Sequence, residues 1–144
     1  MHEAVPDFTI GKAIEVREGT DVCILSAGTM LPVAMAAAEL LAERGCSALV
    51  ASFHTIKPLD ERLLAEVFSK YKVIATAEEH SVLGGLGGSI AEWLSSQTGM
   101  QGRLLRFGTR DEFLHETCEQ ESARKIFGLT AENISSNIMN LWHS

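Results

Sequence analysis

Apolar residues along the chain follow two rhythms. Val22-Cys23-Ile24-Leu25-Ser26-Ala27, Ala48 to Phe53 and Val73 to Ala77 are short continuous runs with the length and β-former content of strands buried on both faces. Between them the spacing changes to three and four. Leu63, Leu64, Val67 and Phe68 make the inward stripe of a helix from about Leu59 to Tyr71, with Asp60 and Glu61 in its first turn and Lys70 in its last, each matching the helix dipole. Leu31 to Arg44 is rich in Ala, Leu and Glu and predicts a well-buried helix, with Thr29 as its cap, Pro32 in its first turn and Gly45 as its stop. Ala13 to Arg17 alternates apolar and charged residues, the period of a half-exposed strand. The turn Glu18-Gly19-Thr20-Asp21 that follows is too short for a parallel crossover, which requires antiparallel pairing or a local reversal.

Further on, Gly88 to about Gln97 reads as a helix, and Arg103 to Phe107 as a shorter, less apolar strand suited to a sheet edge. Gly108 to Thr117 reads as irregular with a candidate helical turn, and Gln120 to Phe127 as a short helix closed by Gly128. Thr130 caps a last helix, Ala131 to Leu141, with Ile134, Ile138 and Leu141 inward. Residues 1–9, with Pro6 and Asp7, are a lead-in, and 10–144 form the domain. Strands alternating with helices predict a three-layer α/β/α sandwich on a mostly parallel sheet.

Composition narrows the function classes. With 144 residues, 46% of them hydrophobic, the chain can bury one core and is expected to be one domain. Twelve basic against nineteen acidic side chains give a net charge of -7, which argues against a nucleic-acid partner. Three cysteines, Cys23, Cys46 and Cys118, without a CxxC pair suggest neither a disulfide framework nor a zinc site. The first residues lack a signal-peptide pattern, and no apolar run approaches bilayer-spanning length, so a soluble cytoplasmic protein is expected.

Candidate chemistry gathers behind the strand at Val73. There Glu78-Glu79-His80 leads into Gly84-Gly85-Leu86-Gly87-Gly88 and the next helix, the carboxyl edge of a parallel sheet. His80 reads either as a proton-transfer or anion-binding group or, the weightier reading, as a histidine that orders its own loop. The glycines resemble a phosphate cradle in composition but match neither G-x-G-x-x-G nor the P-loop spacing, and close backbone approach explains them as well. Glu78 and Glu79, being adjacent on a strand, point to opposite faces and are read as structural rather than as a paired acid and base. No HExxH metal motif and no G-x-S-x-G nucleophile elbow occurs. Trp93 and Trp142 read as core or interface anchors.

Several stretches together resemble a known family: Phe8-Thr9-Ile10-Gly11-Lys12-Ala13, Arg17 to Val22, Ala27-Gly28-Thr29, Thr55-Ile56-Lys57-Pro58-Leu59-Asp60, Glu78-Glu79-His80-Ser81 with Gly84-Gly85-Leu86-Gly87, Phe107-Gly108, and Gly128 to Ile134. In this order and over nearly the whole chain, they are similar to the C-terminal domain of transketolase-type, thiamine-diphosphate-dependent enzymes. The resemblance implies a mixed five-stranded sheet of order 1-3-2-4-5 with strand 1 antiparallel. It implies partner domains that bind the diphosphate and the pyrimidine, in the same or a separate chain, with thiamine diphosphate and Mg held there in the assembled enzyme. The chain carries neither the Gly-Asp-Gly metal–diphosphate motif nor a pyrimidine-domain glutamate, so it reads as a C-terminal section, inactive alone, that supports assembly and the active-site entrance for two-carbon ketol transfer between sugar phosphates.

Other readings remain open. One is a stand-alone module binding a small anion or nucleotide. Another is a subunit-docking domain of a relative of 2-oxo-acid dehydrogenases or deoxyxylulose-phosphate synthase. A homo-oligomer is expected, because a domain separated from its neighbours exposes apolar surface. With sheet order 1-3-2-4-5, a crevice is expected between the lip of Gly28 and Thr29 and the lip of His80, Gly84, Gly85, Gly87 and Gly88, where helix N-termini converge on an anion or polar group.

Overall fold

The computed structural model describes residues 9–81, 84–109 and 120–144, apart from the side chains of His80, Ser81, Gln120 and Glu121. Five strands form one sheet: β1 (Ile14–Arg17), β2 (Val22–Ala27), β3 (Ala48–Phe53), β4 (Val73–Ser81) and β5 (Arg103–Thr109). Their order is β1-β3-β2-β4-β5, with β1 antiparallel to β3 and the remaining pairs parallel. This is the sheet implied by the family resemblance, with the more polar Arg103 strand at an edge, although at 7 residues that strand runs longer than expected.

Alternation along the buried strands divides the core. Val22, Ile24, Val50, Val73 and Ala75 face α1 (Leu31–Glu43) and α5 (Ala131–Trp142). Cys23, Leu25, Ala51, Phe53 and Ile74 face α2 (Glu61–Lys70) and α3 (Leu86–Ser95). The short helix α4 (Gln120–Ile126) precedes α5; Gly108 and Thr109, expected to open an irregular stretch, instead extend β5, and the rest of that stretch, 110–117, lies outside the described residues, as do residues 1–8 of the lead-in. On α1, Ala34, Ala37, Ala38 and Leu41 are fully buried at helical spacing. Small side chains there let the helix lie close to the sheet and to α5.

Helix ends follow local chemistry. After α1, Gly45 adopts φ +78, the Cys46 amide donates to Leu41 O at 2.9 Å and the Gly45 amide to Ala42 O at 3.0 Å. These two bonds are a Schellman stop. Gly128, at φ +70, closes α4 in the same way through Leu129 to Arg124 O and Gly128 to Lys125 O. Thr130 caps α5 as expected, accepting from the Asn133 amide at 3.2 Å. Asp60 departs from expectation. It stands before the first turn of α2 as the cap, Oδ1 accepting from the Leu63 amide at 3.1 Å while Oδ2 accepts from the Ala13 amide at 2.9 Å. One carboxylate thus starts α2 and holds the approach to β1.

The turn at Glu18–Asp21 does not join neighbouring strands. It carries the chain from β1 to β2 across the start of β3, and Gly19 passes over Ala48 and Leu49 so closely that a Cβ would overlap their backbone. The Tyr71 hydroxyl donates to Gly19 O at 2.6 Å, the Asp21 amide to Ser47 O at 2.9 Å, and the Ser47 amide to Asp21 Oδ2 at 2.7 Å. Gly19→Ala is expected to lower stability by about 2–3 kcal/mol, because the added carbon meets main chain that cannot rotate away. Gly45→Ala, strained only by its positive φ, should cost about 1–2 kcal/mol. Urea denaturation checks this, and equal losses would show that the crossing is not tight.

Cys23 and Cys46 are both fully buried. Burial, aided by the charge of Asp21, pushes the Cys46 thiol from 9.0 up to about 11. Burial, aided by Glu15, pushes Cys23 up as well. A folded-state value above the unfolded one means that the Cys46 contribution to stability is complete below pH 9.0 and is lost as the pH rises to about 11. Both thiols are expected to resist iodoacetamide at pH 8 in the folded chain and to react in urea. Mass spectrometry reads the difference, and rapid folded-state alkylation of either would contradict it.

Candidate functional site

The carboxyl ends of β2 and β4 lie side by side, and β4 continues past Ala77 as far as Ser81. Alternation on β4 sends Glu78 to the α3 side of the sheet and Glu79 toward the α1 side. Glu78 is only 1% exposed. Its Oε1 accepts from the Leu86 amide at 2.7 Å and its Oε2 from the Gly87 amide at 2.6 Å. A strand carboxylate therefore caps α3, whose own N-cap, Gly85, supplies no side chain. The charge also meets the positive end of the helix dipole.

Capping of this kind accounts for the glycines. A Cβ at Gly85 would collide with the Glu78 carboxylate, and one at Gly87 would stand 2.8 Å from Thr76 Oγ1 and 3.1 Å from Arg106 Cδ. Because Glu78 reaches the amides of Leu86 and Gly87, α3 begins at Leu86, and Gly87 and Gly88 belong to its first turn rather than to a loop. Gly84 is exposed with open space around it, and of these four glycines Gly84 and Gly85 stand ahead of the helix.

At the other lip, Gly28 to Met30 form a 3-10 turn ahead of α1. Thr29 does not cap α1. Its hydroxyl donates to Glu79 Oε2 instead. Arg124, from α4, donates through Nε to Glu79 Oε1 at 2.5 Å and through Nη2 to Thr29 O at 3.3 Å. The Arg124–Glu79 ion pair is 22% and 23% exposed at its two side chains, sheltered but still wetted. Gly28, at φ +60, borders a cavity of about 430 Å³ with Ser52, Phe53 and His54, on the β3 side rather than toward β4.

The expected crevice is thus built differently. The α3 amides reserved for an outside anion are held by the chain's own Glu78, and Thr29 is turned onto Glu79. His80 lies in β4, and its side chain is outside the described residues. Arg124 was not singled out from the sequence, and its partner 45 residues away left no local signal. Glu78 had one: an acidic strand end eight residues before a helix that opens on glycine. Among the described residues, no three His, Cys, Asp or Glu side chains gather as metal ligands, and no helix is long and apolar enough to cross a membrane.

Comparison with known proteins decides the family. The family model described as "Transketolase, C-terminal domain" matches residues 11–134. The chain belongs to that family. This transketolase C-terminal domain is 43% identical over 128 residues to the "6-deoxy-6-sulfo-D-fructose transketolase subunit SqwH" of Clostridium sp. (strain MSTE9), with 89% of the chain and 39% of the relative covered. It is 33% identical over 143 residues to a "1-deoxy-D-xylulose-5-phosphate synthase" of Syntrophotalea carbinolica, covering 99% of the chain and 22% of the relative. A solved structure titled "Split gene transketolase, inactive beta4 tetramer" superposes with a TM-score of 0.84 at 33% identity, over 94% of this chain and 44% of that one. The domain therefore spans less than half the length of each of these proteins.

The buried cap dominates the energetics of this edge. Glu78→Gln in the transketolase C-terminal domain keeps one accepting oxygen but turns an NH2 toward a second backbone N–H. It is expected to lower stability by about 2–3 kcal/mol, the scale of hydrogen bonds to a charged group. Glu79→Gln, at a wetted ion pair, should cost about 1 kcal/mol or less. Guanidinium denaturation ranks the two, and the reverse ranking would remove Glu78 as the keystone.

Proposed function

We propose that this domain serves a thiamine-diphosphate-dependent transketolase as the part that supports assembly and shapes the active-site entrance, while other domains carry the chemistry. The reaction would be transfer of a two-carbon ketol unit between sugar phosphates, with the diphosphate- and pyrimidine-binding domains in the same or a separate chain. The observation that supports this is the closure of the α3 N-terminus by Glu78. The amides that a diphosphate would need already hold a carboxylate whose negative charge stands where the ligand's would. Glu79 is likewise committed to Thr29 and Arg124. The described residues of this edge do not fit thiamine diphosphate or Mg, since its two carboxylates and the first α3 amides already hold partners within the chain.

The same closure weighs against a stand-alone anion-binding module, since an anion would have to displace a buried, doubly bonded carboxylate. The neighbour titled an inactive β4 tetramer fits a piece that assembles without being active alone. A homo-oligomeric assembly in the cytoplasm accompanies this reading, with exposed Ile10 and Ile126 among the apolar surface it would cover. The chain by itself is expected to show no calorimetric heat with thiamine diphosphate and Mg²⁺ at millimolar concentration and no ketol transfer. Micromolar binding would overturn the proposal.

A further inference from the structure

Each of α1, α2, α3 and α5 buries three or four residues against the sheet or a neighbouring helix. The short helix α4 is built otherwise. Among its described side chains, Ala123 and Arg124 are half-buried, Ser122 and Lys125 are exposed, and Ile126 is 58% exposed, so none is withdrawn from water. A gap of about 210 Å³ separates Ala123, Arg124 and Phe127 from Glu79 and Thr109, near the ends of β4 and β5, with Leu129 closing one side. A helix resting over a gap loses the dispersion contacts by which close packing holds a helix to a sheet.

A polar tie takes the place of packing. Arg124 donates through Nε to Glu79 Oε1 and through Nη2 to Thr29 O at 3.3 Å. One guanidinium thereby joins α4 to the tip of β4 and to the turn ahead of α1. The chain is fixed just beyond the helix. Leu129 is 2% exposed and packs in the α1/α5 layer, and Gly128 O accepts from Asn133 Nδ2 at 2.8 Å. At 7 residues α4 is too short to persist in water by itself, since isolated helices are marginal below about 12–15 residues. Detached from the sheet edge, it melts.

From these observations we infer that α4 is a latch closed by the Arg124–Glu79 pair, opening by local unfolding while the sheet and the other four helices stay folded. Opening uncovers the walls of the gap and leaves Glu79 without the Arg124 cation. The latch therefore also sets the charge shown at the carboxyl edge of the sheet. It is a property of the isolated chain and does not depend on the function proposed above.

Native-state hydrogen exchange of the full chain across a urea series tests the latch. The Phe127, Gly128 and Leu129 amides, bonded at 3.1, 3.2 and 2.7 Å to Ala123 O, Lys125 O and Arg124 O, report α4. The Val50 amide, in a strand paired on both sides, reports global unfolding. The three α4 amides are expected to be less protected than Val50 by about 100-fold or more and nearly insensitive to urea, the mark of local opening. Glu79→Gln should speed them by about fivefold, the upper range for a wetted ion pair. NaCl at about 1 M, where screening acts within about 3 Å, should do the same to the unaltered chain and add little to the variant. If the variant does not fold, the salt series on the unaltered chain carries the test. Protection at the α4 amides that falls with urea as steeply as at Val50 means that α4 unfolds only with the whole domain, and overturns the latch. Urea-insensitive opening that responds to neither the substitution nor salt overturns it too, because something other than the Arg124–Glu79 pair then closes α4.

Discussion

A single buried carboxylate organises the carboxyl edge of the sheet in this domain. Glu78 is withdrawn from water, and withdrawal is tolerable only because two amides and a helix dipole replace the lost hydration. The requirement runs in both directions. Without Glu78 the first turn of α3 has orphaned N–H groups beneath the protein surface, and without α3 the carboxylate is an unpaired buried charge. Gly85 and Gly87 follow from the same constraint, since the volume their side chains would fill belongs to Glu78 in one case and to Thr76 and Arg106 in the other. The helix start, the glycine pattern and the end of β4 are one solution to one electrostatic problem.

The neighbouring residue does the same work on the opposite face. Because strand side chains alternate, a pair of adjacent glutamates at the tip of β4 reaches both helix layers. Glu79 draws together Thr29, just ahead of α1, and Arg124 of α4. The two sites differ in strength for a physical reason. Glu78 is dry and held by fixed main chain, whereas Glu79 is partly wetted and held by side chains that lose rotamer freedom when they bind. The tip of β4 is thus pinned firmly to α3 and more loosely to the approach to α1 and to α4.

Much of this fold could be read from residues alone because the signals were local. Continuous runs such as Val22 to Ala27, helix stripes such as Leu63 to Phe68, and stops such as Gly45 and Gly128 each act within a few positions, and the structure has all of them. Sheet order was not local. The turn after β1 pointed to antiparallel direction, but only the family resemblance supplied β3 as the strand lying between β1 and β2. Departures from local expectation at this edge share a cause. Thr29 before a helix and glycines before α3 both carry strong local meanings, as a cap and as an anion cradle. Each was overridden by a glutamate brought in by the sheet. Asp60 shows the milder form, a first-turn acid in sequence that the fold moves back one position so that it also binds the Ala13 amide.

Electrostatics connects the edge to the proposed role. A chain with a net charge of -7 disfavours phosphorylated substrates at long range. Bare carboxylates at Glu78 and Glu79 would concentrate that repulsion at the sheet edge where open α/β folds place their ligands. Here Glu78 is offset by the α3 dipole and two N–H groups, and Glu79 by the Arg124 guanidinium at 2.5 Å. The Glu79–Arg124 pair, opposite charges so close, presents a dipole rather than a monopole, and a dipole field fades well within the roughly 8 Å screening length of physiological salt. Among the described residues of this edge, one carboxylate is paired with a cation and the other, buried, occupies the α3 amides an incoming phosphate would use. Such an edge is in keeping with the proposed role, in which other domains hold the substrate.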